Sequence, residues 1–510
     1  MPTMLKRIIS SNPILSIGLI GILVFLIHLT TAAHYPACWF DEIEILEMGR
    51  FSIFDVNPEW SVNLFPSADA ALHPPAPFFH YLTGALQELL YRATGSFLLA
   101  RVLLLASLPA TALLLFVWLK GKDIPAPAAL AAATLFVLDP NATICAHWYR
   151  PDLWTMSCAF GAMILLAQTR NSSTRKRLAA CFAAGVLTSV MLFLWITSML
   201  LLPLICWEAL VSARMRPWRD GTAFVTGFVL CTIVFLVPLF PHIPAILNQY
   251  AQASELGGGI RGLDGMSQRA VNIAKIALRS PFVWICALVG IVVGRRFAMH
   301  ALMFFVLCGF MMSTNVYHLR MVQLMPFLFL FAATALVRLS SIRPPILRST
   351  GKLLVYGAML FSFTLSVLAL NYAAWPGENT LNALVRKFKS VIPLQQPNVY
   401  LYDMEHELYY AGRSLGWKMF SFNDRELLFD RERSADLLAH LDAVVVSDNA
   451  KSKPSERDLA LMRSKGLSAV HRIEMPPVAG NRIKTQLANL FYAHAYPSCT
   501  IYLKQPDTPK

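Results

Sequence analysis

Residues 97–119 read FLLARVLLLASLPATALLLFVWL, an apolar run long enough to cross a hydrocarbon core of roughly 30 Å as a helix. One charge, Arg101, stands in it, close to its start. Runs of the same kind recur near 13–33, 124–145, 152–169, 178–195, 197–213, 221–240, 279–294, 297–314, 322–338 and 352–373. Backbone amides cannot stay unpaired in lipid, so each run is expected as a helix. Composition agrees: 56% of the residues are hydrophobic and 15% charged, which excludes an ordinary soluble chain. The expectation is an α-helical polytopic membrane protein with about eleven transmembrane helices.

A net charge of +14 would suit a nucleic-acid partner if the cations formed one patch, but they do not. Lys6, Arg7, Lys120, Lys122, Arg175, Lys176, Arg177, Arg214, Arg295, Arg296 and Arg343 fall in short loops at alternate span ends. By the positive-inside rule the amino terminus is cytoplasmic and the chain from about 374 lies on the opposite side. The expected domains are a transmembrane catalytic domain at 1–373, with large outward loops at 34–96 and 241–278, and an extracytoplasmic domain at 374–510. In the first loop, PPAPFFHYLTGALQELLYRATG is interrupted by Gln87, Glu88 and Arg92, which suits a helix at the interface rather than a crossing. In the tail, charged residues become frequent and apolar runs shorten. Candidate strands at 398–403, 442–447, 469–475 and 500–504, with helices near 434–441 and 454–465, suggest a small α/β layer. Acidic YDMEHEL reads there as the solvated end of a strand. The nine cysteines lie mostly within spans and form no framework.

Against this background the outward charges stand out. The WFDEIE stretch puts Asp41 and Glu42 just after the first span, where a carboxylate can serve as general base for a delivered hydroxyl or simply solvate the loop. Arg101, Arg150 and Arg320 lie near outer span ends; guanidinium suits phosphate there, and pairing with Asp or Glu is the plainer alternative. In LHPPAPFFHYL, His73 precedes two prolines that fix the chain direction, and it serves as an anion partner, a metal ligand or a polar cap. In HWYRPDLWTM, Arg150 and Asp152 flank Pro151; Pro and Asp suit a helix start.

An early outward Asp-Glu pair, a basic residue before Pro-Pro, an Arg opening the next span, an Arg/Asp turn and a late YHLRMVQLMP segment together resemble the GT-C superfamily of integral-membrane glycosyltransferases. The protein O-mannosyltransferase and lipid A aminoarabinose transferase branch is the nearer likeness, over most of residues 35–335. The resemblance implies inverting transfer of a sugar from a polyprenyl-phosphate carrier to a lipid, glycan or protein acceptor on the outer face of a membrane, such as a bacterial inner membrane. It gives Asp41 the role of base and Glu42 that of its neighbour. It assigns His73, Arg101, Arg150, Tyr317, His318 and Arg320 to the donor phosphate, with Asp152 in support. Glu44, and His73 where relatives carry Lys, depart from that branch. A divalent metal stays open as a cofactor. A phosphate leaves as a stable anion, so one base and a phosphate clamp suffice, unlike the two carboxyl groups of glycosidases. The alternative class is a transporter or flippase of a lipid-linked anion, which would place ionisable residues deep within spans.

Overall fold

The computed structural model describes residues 12–32, 40–54, 62–63, 81–147, 150–212, 216, 218–244, 246–247, 263–313, 322–341, 345–393, 395–402, 406–422, 440–449, 453–477, 482–491 and 495–505. The chain forms two compact units. Met1–Thr30, Val102–Val237 and Gly257–Asn371 make the first; Thr31–Arg101, Pro238–Leu256 and Tyr372–Lys510 make the second.

Five helices among the described residues are long and apolar enough to cross a membrane: Leu98–Gly121, Thr174–Leu194, Arg219–His242, Val322–Ser340 and Gly351–Ala374. Each falls on an expected run, and the chain is an integral membrane protein. Two helix pairs are long and apolar enough only when taken together, and each is bent. Ala126–Val137 meets Pro140–His147 at 50°, and Ile273–Arg279 meets Pro281–Val293 at 103°. Both breaks sit at a proline, which lacks the N–H that a continuous helix would need. Asp139 stabilises the first break: its Oδ1 accepts from the amides of Asn141 at 2.9 Å and Ala142 at 3.2 Å. Pro13–Leu29, Asp152–Gln168 and Ile196–Val211 are shorter apolar helices.

The first unit is built by close helix packing. At the crossing of Thr174–Leu194 with Arg219–Leu236, a methyl on Gly185 would strike the Phe224 carbonyl, and one on Gly227 the Phe182 carbonyl. Without a hydrophobic drive between helices in lipid, small residues that let backbones touch supply the contact.

The second unit contains the sheet. Strands β1 (Val62–Asn63), β2 (Asn398–Leu401), β3 (Lys418–Phe422), β4 (Ala443–Ser447), β5 (Leu467–Ile473) and β6 (Cys499–Lys504) lie in the order β1-β3-β2-β4-β6-β5. Pairings are parallel as far as β4 and antiparallel for β4–β6 and β6–β5. Four of these strands match the expected ones; β1 and β3 are additional. β4 is buried along its whole length, as its AVVVS sequence suits. The expected helix near 454–465 is Glu456–Ser464, opened by a Ser455–Asp458 capping box. The one near 434–441 lies almost wholly outside the described residues. Of YDMEHEL, read as the solvated end of a strand, residues 403–405 lie outside the described residues, while Glu407 is buried at the start of a helix, His406–Ser414, whose Leu408 and Tyr409 enter the core.

That core also takes in part of the long segment 34–96. Ile43 and Leu46, on the helix Phe40–Ile53, share a cluster with Leu384, Phe388, Val399, Leu401 and Leu408. The stretch expected at the interface holds a helix, Leu82–Thr94, closed by Gly95 at φ 69°. It presses against Phe40–Ile53 so tightly that a methyl on Gly49 or Gly84 would overlap the other backbone. These two glycines fix the helix bearing the acidic pair.

Candidate active site

Asp41 and Glu42 occupy the first turn of Phe40–Ile53. Glu42 is 1% exposed and Arg101 is 4% exposed. Arg101 Nε and Nη2 donate to Glu42 Oε1 and Oε2, each at 3.1 Å, and Nη1 donates to the Ala32 carbonyl at 3.4 Å. This fork-on-carboxylate pairing orients both groups. Breaking such a buried pair by removing one partner typically costs about 3–5 kcal/mol.

A second layer of buried polar contacts supports the pair. Tyr409 donates its hydroxyl to Glu47, which also meets Arg50 at 3.2 Å. Arg413 Nη2 donates to both oxygens of Glu88, at 2.9 and 2.7 Å, while Arg92 Nε reaches Glu88 at 2.7 Å. Gln87 Nε2 donates to the Tyr410 hydroxyl at 2.9 Å, and the Tyr91 hydroxyl to the Arg413 carbonyl at 2.9 Å. Burial, reinforced by Glu47, raises the Tyr409 pKa well above the usual tyrosine value. Burial works against the charge on Arg413; Tyr409, Glu47 and Glu88 outweigh it and raise its pKa. None of these long-range partners is visible as a motif. The only hint is compositional: Gln87, Glu88 and Arg92 break an otherwise apolar helix.

In the first unit, Arg150 and Asp152 do pair. Arg150 Nε donates to Asp152 Oδ2 at 2.9 Å, and the guanidinium lies over Trp195, 5.1 Å from the ring centroid. Asp152 opens the helix Asp152–Gln168 after Pro151, as expected of a helix start. Its other oxygen accepts from Gln323 Nε2 at 3.3 Å. Gln323 belongs to the late YHLRMVQLMP segment, where an uncharged amide carries no sequence signal of its own. Nearby, a small cavity of about 20 Å³ is lined by Asp139, Asn141, Arg279, Ser280 and apolar neighbours. Asn141 Nδ2 there donates to Ser280 Oγ at 3.0 Å.

His73, Tyr317, His318 and Arg320 lie outside the described residues, as do the side chains of Asp41 and Glu44. Among the described residues no group of three or more His, Cys, Asp or Glu could hold a metal ion.

The fold is like that of solved structures of ArnT and AftD. ArnT from Cupriavidus metallidurans bound to undecaprenyl phosphate aligns with a TM-score of 0.61 at 12% identity, over 95% of this chain and 97% of that one. ArnT in the apo state gives 0.57 at 11% identity with the same coverage. The arabinofuranosyltransferase AftD from Mycobacteria gives 0.55 at 14% identity; it covers 97% of this chain, which spans only 40% of AftD's length. No protein-family model matches the sequence, and neither does any curated protein.

Proposed function

We propose that the protein is a glycosyltransferase that moves a sugar, with inversion, from a polyprenyl-phosphate carrier to an acceptor on the outer face of a membrane. The observation that carries this is the buried Glu42–Arg101 pair, set in a fold shared with an ArnT that was solved with undecaprenyl phosphate. Asp41 takes the proton from the acceptor hydroxyl. Glu42 is not a second base in this scheme: it is the carboxylate that orients Arg101, leaving the guanidinium to meet the carrier phosphate. Arg150, held by Asp152, is given to the donor phosphate as well, as are His73, Tyr317, His318 and Arg320. As the acceptor oxygen bonds to the anomeric carbon and the C–O bond to the carrier phosphate breaks, charge develops on the leaving phosphate, and fixed guanidinium donors stabilise it; one well-aimed donor is worth about 3–4 kcal/mol in comparable sites. Asp41 receives one proton and the carrier leaves as its phosphate, so the step balances without an added co-reactant.

The membrane is taken as a bacterial inner membrane with a cytoplasmic amino terminus, and 374–510 as the extracytoplasmic domain, in keeping with the Lys and Arg distribution. Mass spectrometry of outer-leaflet lipids and surface glycans, from cells with and without the chain, tests the proposal. A missing sugar substituent, with unused lipid-linked donor accumulating, is the expected result. Unchanged lipids and glycans, with a labelled lipid anion stranded on the inner leaflet, would favour transport instead.

A further inference from the structure

We propose that Tyr410, delivered by the tail helix His406–Ser414, is a positioning residue that holds the Arg101 guanidinium in the plane where it grips Glu42. This rests on the donor-phosphate role given to Arg101 above. Tyr410 is 1% exposed. Its ring stacks on Phe97, with centroids 4.0 Å apart and planes 16° from parallel, and Phe97 stacks in turn on Tyr91 at 4.1 Å. Its hydroxyl is fixed by Gln87. The Arg101 guanidinium carbon lies 5.5 Å from the centroid of the Tyr410 ring, within cation–π range. A guanidinium has five N–H donors, all in its plane. Glu42 takes Nε and Nη2, the Ala32 carbonyl takes Nη1 and the ring stands against the guanidinium, so Arg101 cannot turn away and the N–H directions those acceptors leave stay presented. The same tail helix is anchored on either side of Tyr410, by Tyr409 to Glu47 and by Arg413 to Glu88. A segment about 300 residues downstream thereby sets the geometry of the acidic pair's partner.

The test uses the full-length chain in nanodiscs, with undecaprenyl phosphate as probe. Tyr410→Phe keeps the ring and is expected to bind within about twofold of wild type. Tyr410→Leu and Arg101→Gln are each expected to weaken binding about tenfold, and the double variant to be no weaker than Arg101→Gln alone. Wild-type binding by Tyr410→Leu, with binding lost in Arg101→Gln, would overturn the positioning role and leave the donor-phosphate role standing. If wild type does not bind undecaprenyl phosphate, the donor reading fails, and phenylglyoxal labelling of Arg101, read by peptide mass spectrometry, still decides the positioning role. Faster labelling in Tyr410→Leu than in wild type and Tyr410→Phe supports it; equal labelling overturns it. Should Tyr410→Leu not be recovered folded, Phe97→Leu, which removes the ring beneath Tyr410, takes its place with the same expectations.

Discussion

Among the described residues two acid–arginine pairs have both partners fully buried, and they are built in opposite ways. Arg150 and Asp152 are two residues apart and share one hydrogen bond across a proline turn. Glu42 and Arg101 are 59 residues apart and share two, with both carboxylate oxygens engaged. The local pair needs only a turn and a helix start. The distant pair requires the helix Phe40–Ile53 to be locked in place by its glycine contact with Leu82–Thr94 and by a core made with the tail. A local pair can therefore be altered with limited damage, whereas the distant pair reports on the whole second unit.

The largest difference is expected on removing each arginine. Arg101→Gln leaves Glu42 buried without its fork and should cost about 3–5 kcal/mol, seen as a clear drop in the detergent-solubilised melting temperature. Arg150→Gln should cost less, about 1–3 kcal/mol, because Asp152 keeps its bond from Gln323. Equal losses would mean that the distant pair is no more structural than the local one. Gln323→Leu sharpens the local side: loss of two long hydrogen bonds, to Asp152 and Thr155, should cost about 1–2 kcal/mol, with any larger change appearing in transfer rate rather than melting. The gentlest probe is pH. Tyr409 has its pKa raised by burial and by Glu47, so its contribution is complete below the ordinary value of 10.0 and is lost as pH rises beyond it. Tyrosinate absorbance should therefore show a protected tyrosine whose ionisation coincides with loosening of the second unit, and Tyr409→Phe should remove that signal. An unprotected titration near pH 10 would contradict the buried Tyr409–Glu47 contact.

The same contrast explains what could be read from the sequence. Apolar runs such as 97–119 locate helices because lipid imposes both their length and their hydrogen bonding. The strands β2, β4, β5 and β6 showed as short β-branched or aromatic runs, while two-residue β1 is too short for any pattern and KMFSF at β3 lacks clean alternation. Arg150, Pro151 and Asp152 announced a turn because all three lie within it. Glu42 and Arg101 were each conspicuous, but nothing in either stretch says that they meet. Gln87, Tyr409, Tyr410 and Gln323 carried still less signal. A neutral polar or aromatic residue looks alike in a core and in a network, and only the fold decides which.

The role given to Asp41 is the part on which the proposed chemistry turns, and it separates cleanly from that of its neighbour. In proteoliposomes supplied with a lipid-linked sugar donor and acceptor, Asp41→Asn should lower the rate of transfer about 10²–10⁴-fold, with unchanged melting and undecaprenyl phosphate binding. Near wild-type transfer by a normally folded Asp41→Asn protein would contradict the account.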